Sequence, residues 1–419
     1  MDVVVIGLGY VGLPLVRAAC RAGLKAGGLD RDARVVAGLD AGLSHIDDVS
    51  AAEVGEMLAH GFTPTLDEGV LDGARTVVIC VPTPLSEEGG PDLTAVRGAA
   101  ETVARHLEPG MLVILESTTY PGTTDEVVRP ILETSGLAAG EEFHLAFSPE
   151  RIDPGNPVYG IRNTPKIVGG FTPACASAAS AFYGKFVDRV VEAKGTREAE
   201  MAKLLENTYR HVNIALVNEM AVFCDELGID LWDAIDCAAT KPFGFQPFRP
   251  GPGVGGHCIP IDPNYLSYKV RSLGYPFRFV ELAQEINERM PRYVVERAQQ
   301  LLNREGRALK GAKVLLLGVT YKADIADQRE SPARPVARRL IRLGAELTYH
   351  DPFVASWQVD GTDVPGAGPL PDALEAADLT IVLTGHKTYD PATLTRHARL
   401  LFDAVGHTRA TPDDTTELL

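Results

Sequence analysis

The chain opens on a short β-branched run that leads directly into a glycine-rich turn. Val3–Ile6 is followed by Gly7, Gly9 and Gly12 in the spacing GxGxxG, and a helical pattern starts there. In such a turn the first glycine allows the tight bend, the second admits a pyrophosphate and the third lets the helix pack closely on the strand. The amide groups of the helix N-terminus then face the phosphates. The opening therefore predicts a dinucleotide-binding α/β domain.

An acidic residue completes this pattern. Asp30 ends the next predicted strand about twenty residues after the turn, where a carboxylate binds both hydroxyls of a ribose. Because this carboxylate repels a 2′-phosphate, we expect NAD and not NADP as the cofactor. Arg31 either offsets part of that repulsion or stacks on the adenine, and Tyr10 and Val11 complete the predicted cofactor turn. The alternative is a glycine turn in an α/β domain that binds no dinucleotide.

Strand-like and helix-like segments alternate over residues 1–195, which favours a parallel, doubly wound sheet. We interpret this part of the chain as an NAD-binding Rossmann-like domain. Its predicted strands include Val3–Ile6, Thr76–Val81, Leu112–Leu115 and Phe143–Phe147, and its predicted helices include Val11–Ala22 and Thr94–Leu107.

The periodicity becomes helical over residues 196–305, with long helices predicted at Glu198–Leu227 and Pro276–Asn303. By fold analogy, a helical middle of this kind joins two α/β domains and carries a dimer interface. The α/β alternation resumes over residues 306–419, and the polar tail after His407 is predicted to be frayed. The predicted fold is α/β, with two Rossmann-like doubly wound domains joined by a helical central domain that contains a long connecting helix. The elements predicted in the last domain are Lys313–Leu317, Pro332–Leu343, Glu346–Tyr349, Leu379–Leu383 and Leu400–Phe402.

Charge and cysteine content disfavour several classes of partner. The chain has 40 basic and 56 acidic residues, a net charge of −16, which repels nucleic acid and anionic membranes at long range. No apolar run approaches the roughly 18 residues that span a bilayer. The six cysteines are widely spaced without a CxxC pair, so we expect no disulfide framework and no metal site. Because Met1–Ile6 already reads as a strand, we expect no signal peptide and a cytoplasmic protein.

One cysteine stands behind a run of glycines. Cys258 follows Gly255, Gly256 and His257 in the loop GPGVGGHCIPID, which ends at Asp262. Glycines let a ligand approach the backbone closely, so a thiol in this loop is available as a nucleophile. The alternative is a buried structural thiol, but the surrounding sequence is glycine-rich and not apolar. His257 fits a loop-shaping residue better than a base.

A lysine and an amide lie one helical turn apart in the predicted central helix. Lys203 and Asn207 share one face, and apolar neighbours such as Leu204 and Leu205 predict that this stretch is largely buried. A buried lysine needs a partner or becomes a usable base, and a buried amide can donate to an oxyanion. The alternative is a solvated helix face.

Several polar segments follow predicted strands, where α/β sheets place their ligand crevice. Glu150, within Ser148–Arg151, is a candidate acid or base; the alternative is a surface carboxylate. The segments Glu116–Thr123 and Cys80–Pro84 are expected to line the same crevice with hydroxyl groups and main chain. The residues assigned to the cofactor site from these two segments are Val81, Pro82, Thr83 and Thr118.

Seven motifs occur along the chain in this order: GxGYVGLP, VPTP, ESTTYPGT, SPER, KLLEN, GPGVGGHCIPIDP and TYKADIADQRESP. Together they resemble the nucleotide-sugar 6-dehydrogenase family, the UDP-glucose, UDP-N-acetylglucosamine and UDP-N-acetylmannosamine dehydrogenases. The resemblance runs from Gly7 to about Asp351, and the combination of motifs is highly specific.

The resemblance implies an NAD-dependent four-electron oxidation, in which the C6 hydroxyl of a nucleotide-diphosphate hexose becomes the carboxylate of a uronic acid. By resemblance, Cys258 forms a thiohemiacetal and then a thioester. Lys203 resembles the residue that assists deprotonation and stabilises the oxyanion, with Asn207 beside it. Asp262 and Glu150 match acid/base residues. Thr118 matches the residue that positions the hydrolytic water.

The resemblance also assigns binding residues. Lys322 resembles the residue that meets the pyrophosphate of the nucleotide sugar, and Arg329 resembles one near the bound cofactor. The segment Asp403–Gly406 departs from the family pattern, so nucleobase contacts are not transferred to it. The residues assigned to the substrate site are Glu150, Arg151, Lys203, Asn207, Arg249, Gly255, Gly256 and Lys322.

The loop around Cys258, together with SPER, resembles the N-acetylhexosamine branch of the family, so UDP-N-acetylglucosamine or UDP-N-acetylmannosamine is the expected substrate. UDP-glucose and dTDP-glucose are the alternatives. A remoter alternative is a two-electron β-hydroxyacid-type dehydrogenase, which needs neither a nucleophilic cysteine nor a second α/β domain. A binding protein without activity is disfavoured because Cys258, Lys203, Asn207 and Asp262 are all present. The family expectation for assembly is a homodimer or a higher homo-oligomer.

Overall fold

The computed structural model describes residues 1–85, 90–153, 156, 158–256, 259, 261–411 and 415–419. The described chain forms two compact units. The first comprises Met1–Glu206 and Asn264–Pro276, and the second comprises Asn207–Pro263 and Phe277–Leu419.

The first unit is built on one eight-stranded sheet. Its strands are β1 Val3–Ile6, β2 Ala26–Leu29, β3 Thr63–Thr65, β4 Thr76–Ile79, β5 Leu112–Leu115, β6 His144–Phe147, β7 Lys166–Gly170 and β8 Val190–Glu192. They are ordered β3-β2-β1-β4-β5-β6-β7-β8, and every neighbouring pair is parallel except β6 and β7. The first six follow the strand order of dinucleotide-binding sheets, whose ligand crevice lies where the order reverses, between β1 and β4.

The helices follow in chain order. They are α1 Gly12–Arg21, α2 Ala33–Asp40, α3 Ala51–Ala59, α4 Thr94–Arg105, α5 Arg129–Leu132, α6 Pro173–Tyr183, α7 Thr196–Leu227, α8 Leu231–Ala239, α9 Asp262–Ser272, α10 Arg278–Arg304, α11 Ala333–Arg342, α12 Leu370–Ala376 and α13 Pro391–His397. Shorter helical turns lie at Glu68–Leu71, Thr124–Val128 and Glu133–Ser135. None of the helices in these described ranges is long and apolar enough to cross a membrane.

The apolar runs predicted as strands form because both faces of the first sheet are covered. All four residues of β1, β4 and β5 are buried, as expected for parallel strands with helices on both sides. One apolar cluster joins one face of the sheet to α1, α3 and α6, and another joins the opposite face to α4 and α5. This packing fixes the carboxyl ends of β1, β4 and β5, from which the cofactor-site candidates project.

The second unit contains a five-stranded parallel sheet. Its strands, together with the separate antiparallel hairpin β11–β12, are β9 Lys313–Leu317, β10 Glu346–His350, β11 Trp357–Val359, β12 Thr362–Val364, β13 Leu379–Val382, β14 Leu401–Asp403 and β15 Thr416–Leu418. The sheet is ordered β10-β9-β13-β14-β15, the second common order of doubly wound sheets.

The prediction of a frayed tail is wrong for its last residues. Thr416–Leu418 forms β15 and pairs with Leu401–Asp403. Leu419 is buried, and the indole Nε1–H of Trp232 donates to its carbonyl oxygen at 2.8 Å. The polar composition suggested a loose end, but the apolar positions and this hydrogen bond hold it against the second unit.

The predicted fold class is confirmed: parallel α/β sheets and a helical middle are present. The predicted strands and long helices agree with the observed bounds to within two residues at either end. The boundary between the two compact units falls inside α7, between Glu206 and Asn207. The three domain ranges 1–195, 196–305 and 306–419 stay a prediction.

Candidate active site

The glycine turn after β1 is shaped by two close approaches and one open position. Gly7 has φ +92°, and a Cβ there would lie 2.7 Å from the carbonyl oxygen of Cys80. A Cβ on Gly12 would lie 1.9 Å from the carbonyl oxygen of Gly7. A Cβ on Gly9 would meet no described atom within 4 Å. The first and third glycines are thus required by packing, and the middle one leaves space where a pyrophosphate approaches.

Asp30 is attached to this turn by a main-chain hydrogen bond. Its Oδ2 accepts from the N–H of Leu8 at 2.8 Å, and its Oδ1 accepts from the N–H of Asp32 at 2.9 Å. Each carboxylate oxygen retains acceptor capacity beyond these bonds. Arg31 is exposed beside it. The turn and the acid therefore fit a dinucleotide whose ribose carries free hydroxyls.

The next two strand ends are connected to each other. Ser117, which follows β5, donates its hydroxyl to the carbonyl oxygen of Val81, which follows β4, at 2.7 Å. Thr83 is buried, Pro82 is exposed and Thr118 is half-buried. These residues share the carboxyl edge of the sheet with the glycine turn, where the sequence predicted them.

Lys203 is buried on α7, with 8% of its surface exposed. Its Nζ donates to Oγ1 of Thr118, so two predicted catalytic residues are in contact. Leu204 is buried as expected, but the prediction for Leu205 is wrong, because 58% of it is exposed. The apolar pattern around Lys203 therefore marks one buried face and not a buried segment.

Glu150 is held by hydrogen bonds at both carboxylate oxygens. Its Oε1 accepts from the N–H groups of Arg151 and Ile152 at 3.0 and 2.7 Å, and its Oε2 accepts from Lys166 Nζ at 3.2 Å. Burial raises the pKa of Glu150, but the charges of Lys166 and Lys203 and the N–H of Ile152 outweigh it, so the pKa lies below its usual range. Glu150 is therefore ionised at neutral pH and is not an ordinary surface carboxylate.

Arg151 is engaged by the protein itself. Its Nη2 and Nε donate to the two carboxylate oxygens of Glu206 at 2.7 and 3.2 Å, and its Nη1 donates to the carbonyl oxygen of Pro165 at 2.8 Å. These bonds fix the segment after β6 against α7. Its assignment to the substrate site stays a prediction.

A buried carboxylate on α7, that of Glu200, was not predicted from the sequence. Glu200 accepts from the N–H groups of Gly122 and Thr124, and from the Thr124 hydroxyl at 2.7 Å. Burial raises its pKa to about 7, although these N–H donors act in the opposite direction. Glu200 thereby anchors the segment that follows Thr118. The available signal was a glutamate on the same helical face as Lys203, one turn earlier.

In the second unit, Asn207 and Asp262 are brought together. The Asn207 Nδ2 donates to Oδ2 of Asp262 at 2.6 Å, and Asp262, the first residue of α9, is only 1% exposed. The two residues are 55 positions apart in sequence, so no local pattern signalled this contact.

The glycines before the cysteine pack against the segment that follows β9. A Cβ on Gly255 or Gly256 would lie 2.7 or 2.8 Å from the side chain of Tyr321. The N–H of Gly256, whose φ is +88°, also donates to the carbonyl oxygen of Arg329 at 3.2 Å. His257 and Cys258 lie outside the described residues. The close approach, and not only access for a ligand, explains why glycine occupies both positions.

The segment after β9 is itself held by a buried histidine. The Nδ1 of His386 accepts from the N–H of Asp324 at 2.9 Å, and its Nε2 lies 3.1 Å from Oδ2 of Asp351. That same oxygen accepts from the N–H of Val319 at 2.7 Å. The side chains of His386 and Asp351 are fully buried. This arrangement fixes the main chain that carries Lys322, which is half-buried.

Two other predicted binding residues have partners within the second unit. Arg329 forms an ion pair with Asp327, with Nη2 2.6 Å from Oδ2. Arg249 pairs with Asp236, and its guanidinium lies 5.9 Å from the centre of the Trp232 ring. The assignments of Arg329 to the cofactor and of Arg249 to the substrate stay predictions.

Comparison with known proteins agrees with this architecture over its whole length. Models of the UDP-glucose/GDP-mannose dehydrogenase family match in three parts, the NAD binding domain over 1–187, the central domain over 197–289 and the UDP binding domain over 315–409. UDP-N-acetyl-D-glucosamine 6-dehydrogenase of Pseudomonas aeruginosa is 37% identical over 360 residues, which cover 85% of this chain and 84% of the relative.

Two archaeal proteins extend the similarity. UDP-N-acetyl-D-mannosamine dehydrogenase of Methanocaldococcus jannaschii is 34% identical over 394 residues, covering 92% of this chain and 86% of the relative. The solved structure of UDP-D-ManNAc dehydrogenase from Pyrococcus horikoshii superimposes with a TM-score of 0.89 at 32% identity, covering 100% of this chain and 98% of that one.

The dinucleotide sheet, the helical middle and the second parallel sheet define an NAD-dependent oxidoreductase that acts on nucleotide sugars. The chain belongs to the UDP-glucose/GDP-mannose dehydrogenase family. The resemblance inferred from the motifs is thereby confirmed, and so is NAD as the cofactor.

Proposed function

We propose that this enzyme oxidises the C6 hydroxyl of a UDP-N-acetylhexosamine to the carboxylate, with UDP-N-acetylglucosamine or UDP-N-acetylmannosamine as substrate. The relatives from Pseudomonas aeruginosa and Methanocaldococcus jannaschii, which bear those substrates in their names, support this choice. The observation that carries the proposal is the hydrogen bond from Lys203 to Thr118, because it places a buried lysine at the carboxyl edge of the dinucleotide-binding sheet.

The first sheet binds the cofactor. Asp30 would accept hydrogen bonds from the adenosine ribose, and the amide groups at the start of α1 would bind the pyrophosphate. NAD, when bound, supplies the hydride acceptor for both oxidation steps. The negative charge of Asp30 disfavours the 2′-phosphate of NADP.

Lys203 and Asn207 stabilise the alkoxide and the oxyanions that form at C6. Both lie on α7, one helical turn apart. A lysine that donates to a hydroxyl, as Lys203 does to Thr118, is fixed in direction and costs little reorganisation when charge develops on an oxygen. Glu150 and Asp262 accept and return the protons, and Thr118 orients the water that hydrolyses the thioester.

Cys258 provides the covalent step. After the alcohol has lost a hydride and a proton, the thiol sulfur adds to the aldehyde carbon and the carbonyl oxygen takes a proton, which gives a thiohemiacetal. Loss of a second hydride and a proton gives a thioester, and water then replaces the sulfur, which returns the thiol. One alcohol, two NAD and one water thus give one carboxylate, two NADH and three protons. The covalent bond retains the reactive aldehyde between the two oxidations.

Lys322 neutralises the diphosphate of the substrate. In a chain of net charge −16, the long-range field repels a nucleotide sugar, so local cations have to offset it. Lys322 follows β9 at the carboxyl edge of the second sheet, where doubly wound sheets bind ligands. The match of residues 315–409 to a UDP binding domain supports this role.

The decisive experiment counts NADH per sugar consumed. The purified enzyme is incubated with excess NAD and limiting UDP-GlcNAc, UDP-ManNAc, UDP-glucose or dTDP-glucose, each alone. We expect two NADH per molecule of one UDP-N-acetylhexosamine and much slower turnover of the two glucose nucleotides. One NADH per sugar would show that the enzyme is a two-electron dehydrogenase. Faster turnover of UDP-glucose or dTDP-glucose would show that the substrate is that glucose nucleotide and not a UDP-N-acetylhexosamine.

A single substitution tests the covalent step. Cys258→Ser is expected to abolish net turnover and to leave NAD binding unchanged. Cys237→Ser is the matched control, because Cys237 is an exposed free thiol on α8. Full activity of Cys258→Ser would exclude the thioester mechanism.

We further propose that the enzyme is at least a homodimer. Tyr209, Leu216, Phe223 and Leu227 are exposed at helical spacing on α7, and a stripe of large apolar side chains is typical of an interface. Light scattering after size-exclusion chromatography is expected to give a dimer or a larger oligomer, and Leu216→Glu to give smaller species. A monomeric wild-type protein would contradict this.

We also propose a cytoplasmic location, because the five described cysteines are free.

A further inference from the structure

Lys166, at the start of β7, is buried between two carboxylates. Its Nζ lies 3.0 Å from Oε1 of Glu116 and 3.2 Å from Oε2 of Glu150. The side chain of Lys166 is 10% exposed, that of Glu116 is 0% exposed and that of Glu150 is 14% exposed. A charged group of this kind is costly to bury without partners, so all three side chains depend on one another.

The Glu116 end of this cluster is fixed deep in the first unit. The hydroxyl of Tyr183, on α6, donates to Oε1 of Glu116, and the Lys166 ammonium lies 5.1 Å from the centre of the Tyr183 ring. Cys80 Sγ is 3.9 Å from the other oxygen, Oε2. Glu116 and Tyr183 therefore hold the ammonium group from the interior side.

The Glu150 end is the more exposed one, and its electrostatics differ. Burial raises the pKa of Glu116, whereas the pKa of Glu150 is lowered because the Lys166 charge and the Ile152 N–H outweigh its burial. One lysine cannot fully neutralise two ionised carboxylates. Burial thus makes Glu116 the weaker acid of the two, and the positive charge of Lys166 favours the ionised form of Glu150.

We propose that Lys166 is a positioning residue of the active site, which keeps Glu150 ionised and oriented as a base and is itself anchored by Glu116 and Tyr183. This inference rests on the proposed role of Glu150 in proton transfer. Two N–H donors on Oε1 and Lys166 on Oε2 leave the carboxylate a single orientation, and of these three donors Lys166 alone carries a full charge. The charge of Lys203 acts on Glu150 in the same direction but more weakly.

A purely structural ion pair and a positioning residue differ in one measurable quantity, the pH profile of kcat/KM. If Lys166 only stabilises the fold, its loss lowers stability but leaves the acid limb of the profile unchanged. If Lys166 keeps Glu150 ionised, its loss leaves only the Lys203 charge and the Ile152 N–H to oppose burial, so the pKa of Glu150 rises and activity is lost at the acid end.

The experiment compares wild type, Lys166→Met, Lys166→Arg and Glu116→Gln in the full-length enzyme between pH 4 and 9.5. We expect the acid limb of Lys166→Met to lie one pH unit or more above that of wild type, so kcat/KM falls most at the acid end of the range, where the loss approaches about tenfold, and changes little at pH 9. Lys166→Arg retains the charge and is expected to keep the limb within a few tenths of a unit of wild type. Lys185→Met, which removes an exposed lysine charge from the same unit, is expected to reproduce the wild-type profile.

Glu116→Gln tests the inference in the opposite direction and decides it alone if Lys166→Met fails to fold. Without its competing carboxylate, Lys166 stabilises Glu150 more, so the acid limb stays at or below that of wild type. The inference would be overturned if the acid limb of Glu116→Gln lay at higher pH than that of wild type. It would also be overturned if the pH profile of Lys166→Met coincided with that of wild type. Wild-type NADH stoichiometry is measured first, so failure of the proposed function is recognised separately. NAD binding and thermal unfolding report whether each variant is folded.

Discussion

The main-chain N–H of Leu8 donates to a carboxylate oxygen of Asp30 at 2.8 Å, which joins the glycine turn after β1 to the end of β2. The acid is therefore oriented before any ligand arrives. A preorganised carboxylate loses less conformational freedom when it binds a ribose, and more of the hydrogen-bond energy contributes to affinity.

Loss of Asp30 is expected to weaken cofactor binding specifically. Asp30→Ala removes charge-assisted hydrogen bonds of about 1.5–3 kcal/mol, so the KM for NAD should rise by about 10- to 100-fold with a smaller change in kcat. Asp30→Asn should raise the rate with NADP relative to NAD. Asp32→Ala is the control, because Asp32 is a half-buried helix-capping acid two residues away. An unchanged KM for NAD in Asp30→Ala would remove this acid from the cofactor site.

Glu200 is expected to make the stability of the protein depend on pH. Its pKa in the folded protein is about 7, above the ordinary 4.5, so the folded state holds this proton more tightly than the unfolded state. The stabilising contribution is complete below about pH 4.5 and is lost as the pH rises through 7, amounting to about 3 kcal/mol by linkage.

Substitution removes this dependence. Relative to Glu200→Gln, the wild type should lose up to about 3 kcal/mol of unfolding free energy between pH 5 and 8, measured from urea unfolding curves. Glu198→Gln, at an exposed position on the same helix, should retain the wild-type pH dependence. Identical pH dependences of wild type and Glu200→Gln would show that Glu200 does not titrate in this range.

A methyl group on Gly256 should separate backbone strain from a steric clash. Gly256→Ala places a Cβ at φ +88° and 2.8 Å from the Tyr321 ring, whereas Gly228→Ala has φ +65° and meets no described atom within 4 Å. The left-handed conformation is expected to lower the free energy of unfolding of both variants by about 1–2 kcal/mol. Only Gly256→Ala should also lower kcat and the rate at which iodoacetamide alkylates Cys258. Equal effects on kcat would mean that the Tyr321 contact is unimportant for the loop.

The indole of Trp232 should stabilise β15. Trp232→Phe leaves the buried main-chain oxygen of Leu419 without its N–H donor, at a cost of about 1 kcal/mol. Amide hydrogen exchange of Thr416–Leu418 in the native protein should therefore accelerate about fivefold. Trp357→Phe, which alters the indole that packs on Tyr349, should leave the rate unchanged. Equal acceleration in both variants would indicate general destabilisation.

Local patterns were sufficient for most of the sheet. The strands β1, β5 and β9 read as continuous apolar runs because helices cover both of their faces. The strand β2 consists of Ala26, Gly27, Gly28 and Leu29, residues that carry little strand signal. The glycines are there because a Cβ on Gly28 would lie 2.7 Å from the Leu8 side chain. Tertiary packing, which a local pattern does not contain, selects this strand.

The candidate site was predictable only where its residues stand in motifs. Asp30, Lys203 and Asn207 were recognised because their roles depend on spacing within one turn or one βαβ unit. Lys166 was not, because its partners Glu116 and Glu150 lie 50 and 16 residues away in sequence. Contacts of this range are created by the strand order of the sheet, and no short window of sequence records them.

Asp351 occupies the position in the second sheet that Asp30 occupies in the first. Asp30 follows β2 and accepts from the N–H of Leu8, two residues after β1. Asp351 follows β10 and accepts from the N–H of Val319, two residues after β9. At Asp351, however, His386 and the N–H of Phe353 contact the carboxylate as well, and the side chains of Asp351 and His386 are both fully buried. In the part of the chain that the structure describes, the second sheet thus offers no such acid to a ribose. In the proposed four-electron oxidation the two molecules of NAD would therefore bind one after the other at the glycine turn that Asp30 completes, with the first NADH leaving before the second NAD binds.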